Sequence, residues 1–186
     1  MRFYFGNEFV EGLLARLKAT KQECANRYME VHHPQVVPIH HFTKASNECI
    51  FLYAEGYFLS TVMVTQAVAE GISRFVAERN EIECGKKIGP QIVKLLVERG
   101  KIISRKYENA FGRLWKRRND VHHMKPEVLD ISFPDLAKKS IQDLEVIAGE
   151  IFAGSWSKDG RIILTNPKYW DARPDGKVGA FLRLSP

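Results

Sequence analysis

The stretch Ile103–His123 reads ISRKYENAFGRLWKRRNDVHH, and its spacing decides the fold class. Ile103, Tyr107, Ala110, Phe111, Leu114 and Val121 recur at the period of one helix face, with charged residues between them. Pro126 biases Lys125 away from helical geometry, so this helix is predicted to end near the two histidines. Its last residues, Arg117-Arg118-Asn119-Asp120-Val121-His122-His123, bring an arginine, which can stabilise an anion, together with a histidine, which can move a proton near neutral pH. That pairing suits chemistry on a phosphodiester.

The same pattern extends outward on both sides. Residues 8–30 carry Phe9, Leu13, Leu14, Leu17, Cys24 and Tyr28 near helical period. Val31–His41, VHHPQVVPIHH, reads as a connector because of its two prolines. Residues 46–79 are helical in pattern with a break at Gly56, and Thr43 or Ser46 is placed to cap that segment. Pro90 suits a first helical turn, and Gly100 suits a C-terminal cap. Residues 134–153 give one more helix with Leu136, Ile141, Leu144, Ile147, Ala148 and Ile151 inward. After Gly154 the texture changes, and Arg161–Thr165 and Val178–Leu184 read as short strands. The expected fold is therefore all-α: an N-terminal helix and His/Pro loop over residues 1–44 packing on the bundle, a helical domain over 45–153, and an extension over 154–186 with a β-hairpin.

Composition narrows the partner. The net charge is +6, but Arg99–Lys125 alone holds nine basic residues against Glu108 and Asp120, or +7, so the rest of the chain is about neutral. A local cationic strip fits either a polyanion or a solvated helix face. Three cysteines without a C-x-x-C pair fit a reducing compartment with thiols buried as small apolar groups. The N-terminal MRFYFGNEFV lacks a signal-peptide core, and Tyr57–Ala69 is too short and too polar to span a bilayer. A soluble cytoplasmic protein with no membrane partner is expected.

Individual residues sharpen the site. At about 100° per residue, Arg118 falls in the sector of Tyr107, Phe111 and Leu114, whereas Arg113 and Lys116 fall on the polar side. Arg113, Lys116 and Arg117 are read as polar-face contacts for RNA. An inward arginine must find a partner, either a structural carboxylate or a phosphate. Glu70, in an otherwise apolar helix, is one such carboxylate. Asn119 and His123 share a face, but Arg118 and His123 diverge by about 140° on an ideal helix. They converge only where the helix ends, or where a second copy completes the site. His122 lies nearer the apolar sector and reads as a packing or orienting residue. His32, His33, His40 and His41 invite zinc or nickel, but their consecutive pairs and the intervening prolines favour a surface loop, and no metal or other cofactor is expected. Tyr107, Phe111 and Trp115 read as a core stripe, with base stacking the alternative.

With these residues in view, the chain resembles the HEPN superfamily of small α-helical domains, many of them endoribonucleases of toxin and phage-defence systems. Gly56-Tyr57-Phe58-Leu59 through Ala67-Val68-Ala69-Glu70 is similar to the family's Gly-aromatic helix ending in a glutamate. Ile92–Leu96 through Gly100–Ile103, then Leu114 to His123, is similar to its helix pair ending in Arg-Asn-x-x-x-His. The resemblance covers about residues 45–153. It implies a HEPN-like bundle and a metal-independent ribonuclease acting as a homodimer, with the two motifs facing each other across the interface. It further implies His123 as acid or base, Arg118 as the phosphate-binding group, Asn119 as a polar assistant, Glu70 as a supporting residue, and an antitoxin or defence-system protein as partner. Toxins of the family paired with a nucleotidyltransferase often carry a tyrosine where this chain has Lys125, so regulation through that tyrosine is not expected. The alternative is a non-catalytic HEPN-like module that binds nucleic acid, a nucleotide or a partner protein. A purely structural dimer with an Arg118–Glu70 pair is a third reading.

Overall fold

A computed structural model describes residues 7–31, 33, 36–123, 130–159, 161–171, 173, 175 and 177–182. His32, Pro34, Lys125 and Pro126 lie outside these residues, as does the end of the strand expected over Val178–Leu184. Among the described residues the fold is all-α: six helices carry it, with two small strand pairs.

The helices are α1 (Asn7–Glu30), α2 (Thr43–Ala54), α3 (Phe58–Arg79), α4 (Gly89–Gly100), α5 (Arg105–His122) and α6 (Phe133–Ile151). The central element is α3, which packs against α2, α4, α5 and α6. Half of its residues are buried, so it has no wide solvent face, consistent with its apolar sequence. The larger core joins Val68, Ile72 and Val76 of α3 to Ile92 and Leu96 of α4, Tyr107, Phe111 and Leu114 of α5, and Leu144 and Ile147 of α6. A smaller core gathers Tyr28 and Val31, Ile50 and Tyr53, Val62, Val121 and Ile141. Val62 and Val121 share that second core, and Ser73 Oγ lies 2.9 Å from Tyr107 Oη in the first, so α3 and α5 run antiparallel.

Local chemistry sets the boundaries. Gly56, at φ +89°, makes the break between α2 and α3, a left-handed turn that glycine adopts without a Cβ penalty. Ser104 caps α5 by accepting from the Tyr107 N–H at 3.2 Å. The cap expected from Thr43 or Ser46 is not made. Thr43 instead donates to the Pro38 carbonyl at 2.7 Å and accepts from the His40 N–H at 2.9 Å, tying the connector to the helix start. The left-handed residue after α4 is Lys101 rather than Gly100. At Gly89 the approach is close. A Cβ there would lie 2.6 Å from Phe111 Cζ and 3.2 Å from Trp115 Cζ3, so α4 starts against the aromatic stripe of α5. The Phe111 and Trp115 rings stack at 6.3 Å between centroids, which places this stripe in packing.

The connector is not a featureless loop. It forms β1 (Val36–Pro38), which pairs antiparallel with β4 (Ala180–Leu182), Val37 opposite Phe181. β2 (Gly154–Trp156) pairs antiparallel with β3 (Ile162–Leu164), Ser155 opposite Ile163. The hairpin therefore lies at the end of α6, and the last strand crosses back to the connector. The surface-loop reading of the histidines is corrected for two of them. His33 is buried, its ring nitrogens 3.0 Å from Tyr28 Oη and 3.1 Å from the Val31 carbonyl. The His40 side chain is 4% exposed, with Nε2 donating to the Tyr169 carbonyl at 2.9 Å and Nδ1 lying 3.1 Å from Asp171 Oδ2. His40 thus pins the C-terminal extension to the bundle, ringed by Phe42, Phe75 and Phe152.

Candidate functional site

The residues of interest sit at the C-terminal end of α5, which is flanked by α3, α4 and α6. Its outward strip is Arg105, Lys106, Asn109, Gly112, Arg113, Lys116, Asp120 and His122, with no apolar side chain among them. This polarity leaves α5 half-buried: one face holds the core, the other is cationic.

The arginines divide into two groups. Asp143 of α6 is 6% exposed. Arg113 donates to it through Nε at 3.0 Å and through a terminal nitrogen at 2.5 Å, and Arg117 donates to its other oxygen at 2.5 Å. Hydrogen bonding to Asp143 raises the pKa of the Arg113 guanidinium against the opposing effect of burial. Arg113 is exposed on the polar face as expected, but both it and Arg117 are engaged by Asp143. They lie one turn apart on the edge of α5 that meets α6, and the Arg117 side chain is only 14% exposed. Lys116 is exposed, as expected.

Arg118 differs. It is half-buried and donates to its neighbour Asn119 Oδ1 at 3.1 Å. No carboxylate among the described residues lies within ion-pair distance of it. The Arg118–Glu70 pair of the structural reading is not formed. Glu70 accepts from Arg74 at 2.8 Å and from Gln66 at 3.2 Å, and Arg74 also donates to the Lys87 carbonyl in the loop before α4. The α3–α5 register, set by Ser73 beside Tyr107, puts Glu70 level with the first half of α5. It thus sits on the order of 10 Å along the bundle from Arg118, at about 1.5 Å per residue.

His123 is the residue after the last helical turn, its N–H donating to the Asn119 carbonyl at 3.3 Å. Both His122 and His123 are exposed, with their rings edge to face at 5.3 Å. The packing role expected for His122 is corrected by this exposure. Val121, between Asp120 and His122, takes the buried position instead. The helix end thus presents a guanidinium, an amide and two imidazoles within six residues. Cationic groups are favoured there because the helix C-terminus carries partial negative charge.

Sequence reasoning missed Asp143. Its signal was present: it follows Ser140 by three residues and precedes Ile147 by four, so it lies on the inward side of α6 among apolar neighbours. Among the described residues no group of three or more His, Cys, Asp or Glu is placed to hold a metal, and no helix is long and apolar enough to cross a membrane. A separate cavity of about 250 Å³ is lined by Val36, Glu145, Phe152, Ser155, Ile162 and Trp170, none of them on α5. No protein-family model matches this chain, and neither a characterised protein nor a solved structure matches it.

Proposed function

We propose that the chain is a metal-independent endoribonuclease of the HEPN type, working at the C-terminal end of α5 in a homodimer. The observation that carries this reading is Arg118. Its two basic relatives on the α6 side, Arg113 and Arg117, are engaged by Asp143, whereas Arg118 has only Asn119 among the described residues. A half-buried guanidinium without a carboxylate is suited to an exogenous anion, and its planar donors match a phosphate. His123 lies five residues beyond it, where the helix ends, and is open to solvent.

In this mechanism His123 takes the proton from a ribose 2′-hydroxyl. O2′ then attacks the adjacent phosphorus, and the bond from phosphorus to O5′ breaks. Arg118 stabilises the charge that builds on the non-bridging oxygens. A second imidazole, from the other copy of the motif, protonates the departing O5′. The products are a 2′,3′-cyclic phosphate and a 5′-hydroxyl. DNA is inert because it lacks the nucleophile. Lys106 and Lys116, the two outward lysines of α5, hold the RNA backbone. A toxin or defence role in the cytoplasm, with a neutralising partner protein, follows from the same reading.

A second reading is a non-catalytic module that binds nucleic acid, a nucleotide or a partner protein. The observation that favours it is Glu70, which is paired with Arg74 and stands away from the motif. Incubation with total RNA in a chelator separates the two. Cleavage by the wild type and none by His123→Ala supports the enzyme; salt-sensitive binding by both proteins without cleavage by either supports the module.

A further inference from the structure

We infer that α1 is a self-association surface, on which a second copy of the same helix lies antiparallel. The expectation that the N-terminal helix packs on the bundle is corrected: among the described side chains only the last part of α1 does so. Tyr28 is buried in the smaller core, Arg27 donates to the Ala54 carbonyl at 2.7 Å, and Glu30 meets Lys138 at 2.8 Å. From Val10 to Glu23 every side chain that the structure describes is exposed, Leu13 lying outside that set. This stretch extends on the order of 20 Å at about 1.5 Å per residue. A helix of that length without packing is marginal in water, because helical stability in proteins comes mainly from burying an apolar face.

The apolar face exists and is uncovered. Val10, Leu14 and Leu17 are 45%, 52% and 50% exposed. Their spacing puts them within an arc of about 60°. It is the four–three alternation of a coiled-coil seam. No comparable apolar strip is available on α5, whose outward residues are all polar or glycine.

Charge selects the occupant and its direction. Glu11 and Lys18 border the same edge of the stripe, within about 20° of each other around the helix. An antiparallel copy centred on Leu14 brings Glu11 of each chain to within about 1.5 Å along the axis of Lys18 of the other, because one precedes the centre by three residues and the other follows it by four. The two-fold makes this exchange twice, as an isologous contact requires. The same centring sets Val10 within one residue of Leu17 across the seam. A parallel pair would set this edge of one helix against the opposite edge of the other, so that Glu11 and Lys18 would not meet. This inference does not rest on the ribonuclease reading.

Light-scattering mass of the whole chain tests it. The wild type is expected at twice the 21.3 kDa chain mass, and Leu14→Glu at the single-chain mass with an unchanged thermal midpoint for the bundle. Glu11→Lys should raise the dissociation constant by about tenfold, the scale of two exposed ion pairs lost. Glu11→Lys with Lys18→Glu should restore it by exchanging the charges. A monomeric wild type, which would leave the stripe to a different protein, overturns the inference, as does a Leu14→Glu dimer. Failure of the double variant to recover overturns the antiparallel register.

Discussion

Arg117 donates to Asp143 at 2.5 Å, while Arg118, the next residue, has no carboxylate within reach among the described residues. One turn of α5 thus holds a structural arginine beside an available one. Replacing Asp143 with alanine strands the Arg117 guanidinium in a site where its side chain is 14% exposed. Asp143→Ala should cost about 3 kcal/mol, the scale for breaking a buried pair by removing one partner. Arg118→Ala should cost about 1 kcal/mol, since it removes one neutral-acceptor hydrogen bond. Urea denaturation of the two variants checks the contrast.

Gly89 provides a test of the core. The nearest atoms to a Cβ at that position belong to the rings of Phe111 and Trp115, at 2.6 and 3.2 Å. These rings are stacked on each other and cannot both retreat. Gly89→Ala should therefore destabilise the fold by about 1–3 kcal/mol, the range for overpacking. Gly112→Ala, on the outward strip where a Cβ meets nothing within 4 Å, should stabilise it by up to about 1 kcal/mol. Thermal melts of both variants would show shifts of opposite sign.

The helical part of this fold was legible because its buried positions follow the helix period. Spacing alone turns Tyr107, Phe111, Leu114 and Val121 inward, and all four are buried. Gly56 and Pro90 marked their boundaries through backbone geometry that does not depend on neighbours. The strand partners were not legible, since β1 and β4 are separated by most of the chain and are three residues long. The site was legible only in part. A helical wheel gives each side chain a direction but does not reveal what the facing helix carries. Arg113 on the polar side of α5 looked free until α6 placed Asp143 against it. Likewise, a glutamate in an apolar helix suggested a partner for Arg118, but Arg74 is one turn away on the same helix and engages it first.

The clamp between α1, α2 and α6 should respond to pH at both ends of the scale. Glu30 accepts from Lys138 at 2.8 Å and from Tyr53 at 3.2 Å. The hydrogen bond from Lys138, with that from Tyr53 and the nearby positive charges, lowers the Glu30 pKa below its ordinary 4.5. A lowered folded pKa means that this contribution is present above the unfolded value and is lost as pH falls through the folded one. Burial, with the Glu30 charge beside it, pushes Tyr53 up to about 12. Here the contribution is present below pH 10 and fades as pH rises from 10 towards 12. Lys138→Ala should flatten the acid arm of a plot of melting temperature against pH. Tyr53→Phe should reduce the alkaline arm without abolishing it, because the buried Tyr107 phenol is also held above its ordinary range.

The catalytic reading makes the sharpest demand on the two histidines. Both are exposed at the end of α5, so neither His122→Ala nor His123→Ala should alter stability by more than about 0.5 kcal/mol. Their effects on RNA cleavage should nonetheless differ. His123 follows Asn119 by four residues and shares its face, so it is the imidazole that meets a phosphate held by Arg118 and Asn119. His123→Ala and Arg118→Ala should each lower the cleavage rate about 100-fold or more, the scale for losing an acid–base group or a charge-stabilising donor. His122→Ala should lower it less than tenfold, within the range left when the acid–base group itself is intact. Asp143→Asn adds a control that separates binding from catalysis. It removes the carboxylate that holds the exposed Arg113, so binding should tighten while catalysis by the motif is unchanged wherever the protein remains folded. Single-turnover rates and binding curves measured in chelator on all four variants would decide the matter. A His123→Ala protein that still cleaves at the wild-type rate would remove α5 from the mechanism.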